Sequence, residues 1–189
     1  MSTDDWTRAA LDALARGGLA AVAVEPLAKS LGTTKGSFYW HFADRDALIA
    51  ATLASWEKRD TDLVIAAVEQ GKDPTARLRN LLRLVFGGVR VGSDPGAGSV
   101  ELALQANATH PLVAPSLARV TERRLAYLTR LFTELGLPPA RARDRSLLAY
   151  SAFLGHAQLA HATPEVLPEG RAFGTHVRRV VDALVRVDE

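Results

Sequence analysis

The run Leu27-Ala28-Lys29-Ser30-Leu31-Gly32-Thr33-Thr34-Lys35-Gly36-Ser37-Phe38-Tyr39-Trp40-His41-Phe42 decides how this chain is to be read. Leu27, Ala28 and Leu31 fall on one helical face, with Ala28 small enough for a second helix to come close, and Gly32 permits a sharp turn after them. Thr33 and Thr34 offer hydroxyl caps to a short helix from about Lys35 to Phe42. Phe38 and Phe42, one helical turn apart, point back toward Leu31. Two short helices joined by a glycine turn make a helix-turn-helix. The residues left facing outward are Thr33, Thr34, Lys35, Gly36, Ser37, Tyr39, Trp40 and His41.

That outward set suits the major groove of duplex DNA. Lys35 can donate to guanine O6 and N7 or to a phosphate, and Ser37 can donate or accept. Gly36 carries no side chain, so the backbone can come close to a partner. Thr33 and Thr34 place hydroxyls beside a phosphate, and the Tyr39 hydroxyl reaches one as well. Trp40 and His41 can touch base edges or thymine methyls, although His41 reads equally well as a structural histidine. An exposed tryptophan without a partner is an unusual surface feature. Arg45, at the start of the next helix, can clamp a backbone phosphate.

Working outward, helical spacing fills the rest of the chain and no alternating strand pattern interrupts it. A first helix is expected from about Asp4 to Arg16, stopped by Gly17-Gly18, and a second from about Val24 to Leu31 with Pro26 in its first turn. Asp44 caps a long fourth helix, about Arg45 to Gln70. Further helices are expected at about Thr75 to Val91, Ser99 to Asn107, His110 to Leu135, Ala140 to Ala162 and Glu169 to Val187. The reading is therefore all-α with nine helices. The glycine-rich segment 92–98 is the most flexible stretch, and 163–168 is a loop.

Composition limits what such a chain can do. Hydrophobic residues make up 48% of the 189, which is enough to bury a core and argues against global disorder. With no cysteine, disulfides and thiolate metal sites are excluded. No run approaches the roughly 18 apolar residues of a membrane helix, and the acidic start Met1-Ser2-Thr3-Asp4-Asp5-Trp6 has no signal-peptide pattern. The chain reads as cytoplasmic and no membrane partner is expected. The net charge is only +2. Within residues 1–56, Arg8, Arg16, Lys29, Lys35 and Arg45 face Asp4, Asp5, Asp12, Glu25, Asp44 and Asp46. If this segment grips DNA, the placement of charge matters more than its amount.

The run from Leu27 to Leu48 resembles the signature of the TetR family of repressors: a small residue in helix two, a glycine turn, a Tyr-x-His-Phe block (Tyr39 to Phe42), and a basic residue before an acidic one opening helix four. Two details depart from that pattern: Arg45 stands where lysine is usual, and Glu25 replaces a polar or small residue. The resemblance implies a TetR-like fold with a three-helix DNA-binding domain, residues 1–49, followed by a ligand-binding and dimerising domain, residues 50–189. It also implies operator DNA, a second copy of the chain and a small-molecule effector as partners.

The second half offers fewer signals. Phe173, Val177, Val180, Val181 and Leu184 make one apolar stripe on the last helix. On the helix before it, Leu147, Leu148, Ser151, Leu154, Gly155, Gln158 and Leu159 allow another helix to approach. Two such helices from each copy would form a two-fold, four-helix interface. Effector candidates are polar or aromatic residues set among apolar helices: Phe86, Glu101, Gln105, Asn107, His110, Tyr127, Tyr150 and His156. Segment 92–98 could gate such a site or be a plain exposed loop. The function expected is a ligand-responsive repressor that binds a palindromic operator as a dimer, effector binding shifting helix four and weakening its grip. A DNA-binding dimer without an effector is the alternative. An all-helical enzyme using Glu101, His110, His156 and His161 fits poorly, because no metal-ligand spacing or nucleophile elbow is present and His156 and His161 lie on different helix faces. No catalytic residue, metal or cofactor is expected.

Overall fold

A computed structural model describes residues 1–89 and 98–186. Its α-helices are α1 (Thr3–Gly17), α2 (Val24–Ser30), α3 (Lys35–Tyr39), α4 (Arg45–Glu57), α5 (Leu63–Val68), α6 (Pro74–Gly87), α7 (Ser99–Gln105), α8 (Val113–Glu134), α9 (Pro139–Ala162) and α10 (Gly170–Val185). No strand occurs among the described residues. The expected fourth helix is α4 and α5 together, joined by a π-helical turn at Lys58–Asp62. The nine expected helices thus correspond to these ten α-segments.

Local chemistry sets the ends. Ser2 and Asp5 close a reciprocal box at the start of α1: Ser2 N–H donates to Asp5 Oδ2 at 2.8 Å and Asp5 N–H donates to Ser2 Oγ at 3.2 Å. The Ser2 N–H and, at 3.0 Å, the Ser2 hydroxyl both donate to Asp5 Oδ2 and hold that carboxyl below its ordinary range. Thr34, Asp44 and Asp73 cap α3, α4 and α6 by accepting from the N–H groups of Ser37, Ala47 and Ala76. Gly32 takes φ 63° between α2 and α3, a conformation that side chains with a Cβ disfavour. Several expected ends move. A 3₁₀ turn at Leu19–Ala21 precedes α2, another at Pro164–Val166 occupies the expected loop, α3 stops at Tyr39, and α6 ends at Gly87 rather than Val91. The glycine-rich segment lies outside the described residues, Gly98 excepted.

The described residues fall into two compact units, one of Met1–Thr61 with Ser99–Val120 and one of Asp62–Gly98 with Thr121–Glu189. The first is organised around Trp6 and Phe38, whose rings meet edge to face at 5.4 Å, with Phe42 stacked on Phe38 at 5.5 Å. Leu27, Ala28, Leu48, Ile49, Leu53 and Trp56 complete that core, and Val100, Leu104, Val113 and Leu117 extend it. The buried positions of α4 run 48, 49, 52, 53 and 56, and the next is Thr61. That five-residue step is the π turn inserting one residue into the helical count.

The second unit packs α5, α6, α9, α10 and the rest of α8 around Leu78, Leu82, Phe86, Leu131, Phe132 and Val181. Glu69 gathers its polar groups. Tyr127 OH donates to Glu69 Oε1 at 2.7 Å, Arg130 Nη2 donates to the same oxygen, and Arg77 lies 3.9 Å from Glu69 Oε2. The tyrosine bond, with the two arginines, lowers the Glu69 carboxyl, while burial first and the carboxylate second push the Tyr127 phenol well above its usual range.

Candidate nucleic-acid interface

Alternation of inward and outward residues over one turn of helix builds this site. Phe38 is fully buried, and its ring is the anchor that sets the rotation of α3. With that rotation fixed, Tyr39 and Trp40 are forced outward, Trp40 to 89% exposure. Lys35, Thr34 and Gly36 are exposed beside them, while Thr33, Ser37 and His41 are half-buried.

Gly36 is informative because nothing inside the molecule requires it. Its backbone is not in the left-handed region, and an added Cβ would meet only Thr34 Oγ1, at an ordinary 3.6 Å. Glycine within a helix is less stable than alanine by roughly 0.5–1 kcal/mol. The space it leaves is useful to a partner that must approach the backbone.

Two charged residues carry features that sequence reasoning missed. Lys35 Nζ donates to Glu25 Oε1 at 2.9 Å, across the turn from α3 to α2. The shared hydrogen bond, then the charge attraction, raises the Lys35 ammonium above its usual range and lowers the Glu25 carboxyl below its own. Arg45, expected to face a phosphate, also ties the domain together from within: Nε donates to Val22 O and Nη2 to Leu19 O, both at 2.7 Å. The guanidinium thereby fixes the 3₁₀ turn to the start of α4. Two donors set apart in a rigid fork do this, where a lysine ammonium would be a single point charge.

The effector candidates are divided between the units. Glu101, Gln105, Asn107 and His110 belong to the first. Gln105 Nε2 donates to Glu101 Oε1 at 3.2 Å, Asn107 Nδ2 to Ala103 O at 2.9 Å, and Leu112 N–H to His110 Nδ1 at 3.3 Å. Phe86, Tyr127, Tyr150 and His156 belong to the second. Tyr127 is held by Glu69, and Tyr150 OH lies 3.4 Å from Thr121 Oγ1. Phe86 and His156 meet, with ring centroids 5.5 Å apart. Around His156 stand Phe173 at 5.8 Å and, stacked on it, His176 at 5.4 Å. The buried Nε2 of His156 has no hydrogen-bond partner. Burial, and then the neighbouring His176, lower the pKa of His156 below the usual histidine range.

Among the described residues, no three His, Asp or Glu side chains converge as a metal-binding group, and no helix is long and apolar enough to cross a membrane.

Residues 7–52 match the family model described as bacterial regulatory proteins, tetR family. No curated protein matches the chain. Among solved structures, a transcriptional regulator from Rhodococcus sp. Rha1 is similar over 100% of both chains at 21% identity, with a TM-score of 0.76. A TetR-family regulator from Agrobacterium tumefaciens is similar over 96% of both chains at 19% identity and a TM-score of 0.76. A transcriptional regulator from Saccharomonospora viridis, in complex with choline, is similar over 97% of this chain and 94% of its own at 19% identity and a TM-score of 0.70. These likenesses share the all-helical fold, and the N-terminal match covers the helix-turn-helix itself. Residues 7–52 are thus similar to the DNA-binding segment of bacterial regulatory proteins of the tetR family, and the whole chain has the fold of solved regulators that carry that segment.

Proposed function

We propose that this chain is a transcriptional regulator of the TetR family, a ligand-responsive repressor that acts in the cytoplasm and binds a palindromic operator as a homodimer. Residues 1–49 serve as its DNA-binding domain and 50–189 as its effector and dimerisation domain. The observation that carries the DNA reading is the α3 face, where a fully buried Phe38 holds Lys35, Gly36, Ser37, Tyr39 and Trp40 toward solvent. In this reading Lys35, Ser37 and Trp40 meet base edges. Thr33, Thr34 and Tyr39 meet phosphates, and His41 flanks them. Arg45 keeps further N–H groups for a phosphate after bonding Val22 and Leu19.

The dimer reading is supported by α9, whose Leu147, Leu148 and Leu159 are 43%, 53% and 43% exposed in the single chain. A second copy would cover them, and a two-fold axis would set two α3 helices about 34 Å apart, one turn of DNA. The effector reading is supported by the unpartnered His156 Nε2 among aromatic rings. A choline complex of a protein with this fold is consistent with it.

The test is selection of duplexes from a randomised pool by the full chain, followed by titration of the enriched duplex. Lys35→Ala and Trp40→Ala are expected to weaken binding about tenfold each, the scale of one good base contact. An enriched sequence without two-fold symmetry, or variants that bind like the parent, would refute the reading. Loss of the complex on adding a small molecule from a metabolite panel separates the ligand-responsive form from a DNA-binding dimer without an effector.

A further inference from the structure

The Lys35–Glu25 pair stands where α2 and α3 begin, with side chains 53% and 74% exposed. An ion pair this open contributes little to folding stability, so the fold does not account for it. Its position does have a consequence for binding. Lys35 is the charged group of the α3 face, and in the free protein a carboxylate already satisfies it. A polyanion must then either leave Lys35 with Glu25 or open the pair and strand a negative charge beside its own phosphates. Both cost affinity on a random duplex. The whole segment 1–56 is short of surplus positive charge, so its net charge does not offset that cost.

We propose that Glu25 is a specificity-determining residue of the α3 face. It withholds Lys35 from phosphates and releases it only where the groove offers the carboxylate a donor of its own. The cytosine N4 amino group is the major-groove chemistry that fits a carboxylate, and the released ammonium then reaches guanine O6 or N7. Discrimination comes from the repulsive element as much as from the new contacts. The inference rests on the reading of α3 as the DNA-contacting helix.

The experiment measures binding of the full chain and its Glu25→Gln, Glu25→Asp and Lys35→Ala variants to two probes: the duplex enriched from a randomised pool by the parent protein, and a shuffled duplex of the same composition. Glu25→Gln is expected to bind the shuffled duplex about three- to tenfold tighter, with a salt dependence steeper by roughly 0.9 in log–log slope for each phosphate Lys35 then neutralises. It is not expected to gain on the enriched duplex, so the ratio between the probes falls. Glu25→Asp, which keeps the charge, retains most of that ratio. If Glu25→Gln leaves the ratio unchanged while Lys35→Ala weakens binding, the role of Glu25 is refuted and the α3 reading stands. If Lys35→Ala changes neither probe, the α3 reading itself fails. Circular dichroism of each variant should match the parent, because both side chains are exposed.

Discussion

Helices α3 and α9 both present apolar surface to solvent, and they do so with different chemistry. On α3 the exposed side chains are Tyr39 and Trp40, each with a polar group on its ring, flanked by Lys35, Glu25 and half-buried Ser37. On α9 they are Leu147, Leu148 and Leu159, with Ser151 and Gly155 also exposed between them. The first surface can satisfy a wet, charged, hydrogen-bonding partner. The second can only be satisfied by exclusion of water, as another aliphatic face would do. Exposed hydrophobicity alone therefore does not define an interface; the polar atoms interleaved with it indicate the partner.

The largest effect is expected from Leu148→Glu. A carboxylate placed in a dry two-fold interface and left unpaired costs roughly 3–5 kcal/mol, so sedimentation should find a monomer that is still helical. A dimer that persists would remove α9 from the interface. Arg45→Ala comes next. It strips donors from the carbonyls of Leu19 and Val22 and should cost about 1–3 kcal/mol in urea unfolding, with loss of DNA binding following from loss of fold. Lost DNA binding at unchanged stability would mean that the phosphate role outweighs the internal one.

A smaller effect concerns the inner side of α9. His156 is held neutral by burial, so the folded state resists taking up a proton that the unfolded chain accepts near pH 6.5. Stability is then full above about pH 6.5 and falls as the pH drops toward the lowered folded value. Between about pH 7.5 and about pH 5.5 the thermal midpoint of the parent should fall further than that of His156→Phe; equal falls would deny His156 this role. The smallest change is Gly36→Ala, expected to stabilise the fold by about 0.5–1 kcal/mol while weakening DNA binding. A variant that is more stable and binds equally well would show that no partner approaches the Gly36 backbone.

These regions also differ in how far they could be read from residues alone. The inward Phe38 and Phe42, the outward Tyr39 and Trp40, and the caps at Thr34 and Asp44 all follow from helical periodicity and local hydrogen-bonding chemistry. Each depends on neighbours a few positions away. The Glu25–Lys35 pair and the Arg45 bonds to Leu19 and Val22 span ten or more residues and cross turns, where periodicity carries no information. The π turn at Lys58–Asp62 escaped for another reason. One extra residue in a helix leaves composition and propensity unchanged and appears only in the spacing from Trp56 to Thr61. Polarity within apolar helices marks the effector candidates, but tertiary packing decides which of them meet. It gives Tyr127 to Glu69 and leaves Phe86 and His156 in contact.

Trp40 has a practical consequence as well. The chain holds three tryptophans, and Trp6 and Trp56 are completely buried. An aqueous quencher such as iodide can therefore reach the indole of Trp40 and no other. Its emission should report occupancy of the α3 face in the unmodified protein, with duplex shielding the ring from iodide as it binds. The protein carries its own optical probe on the α3 face, where the proposed DNA contacts lie.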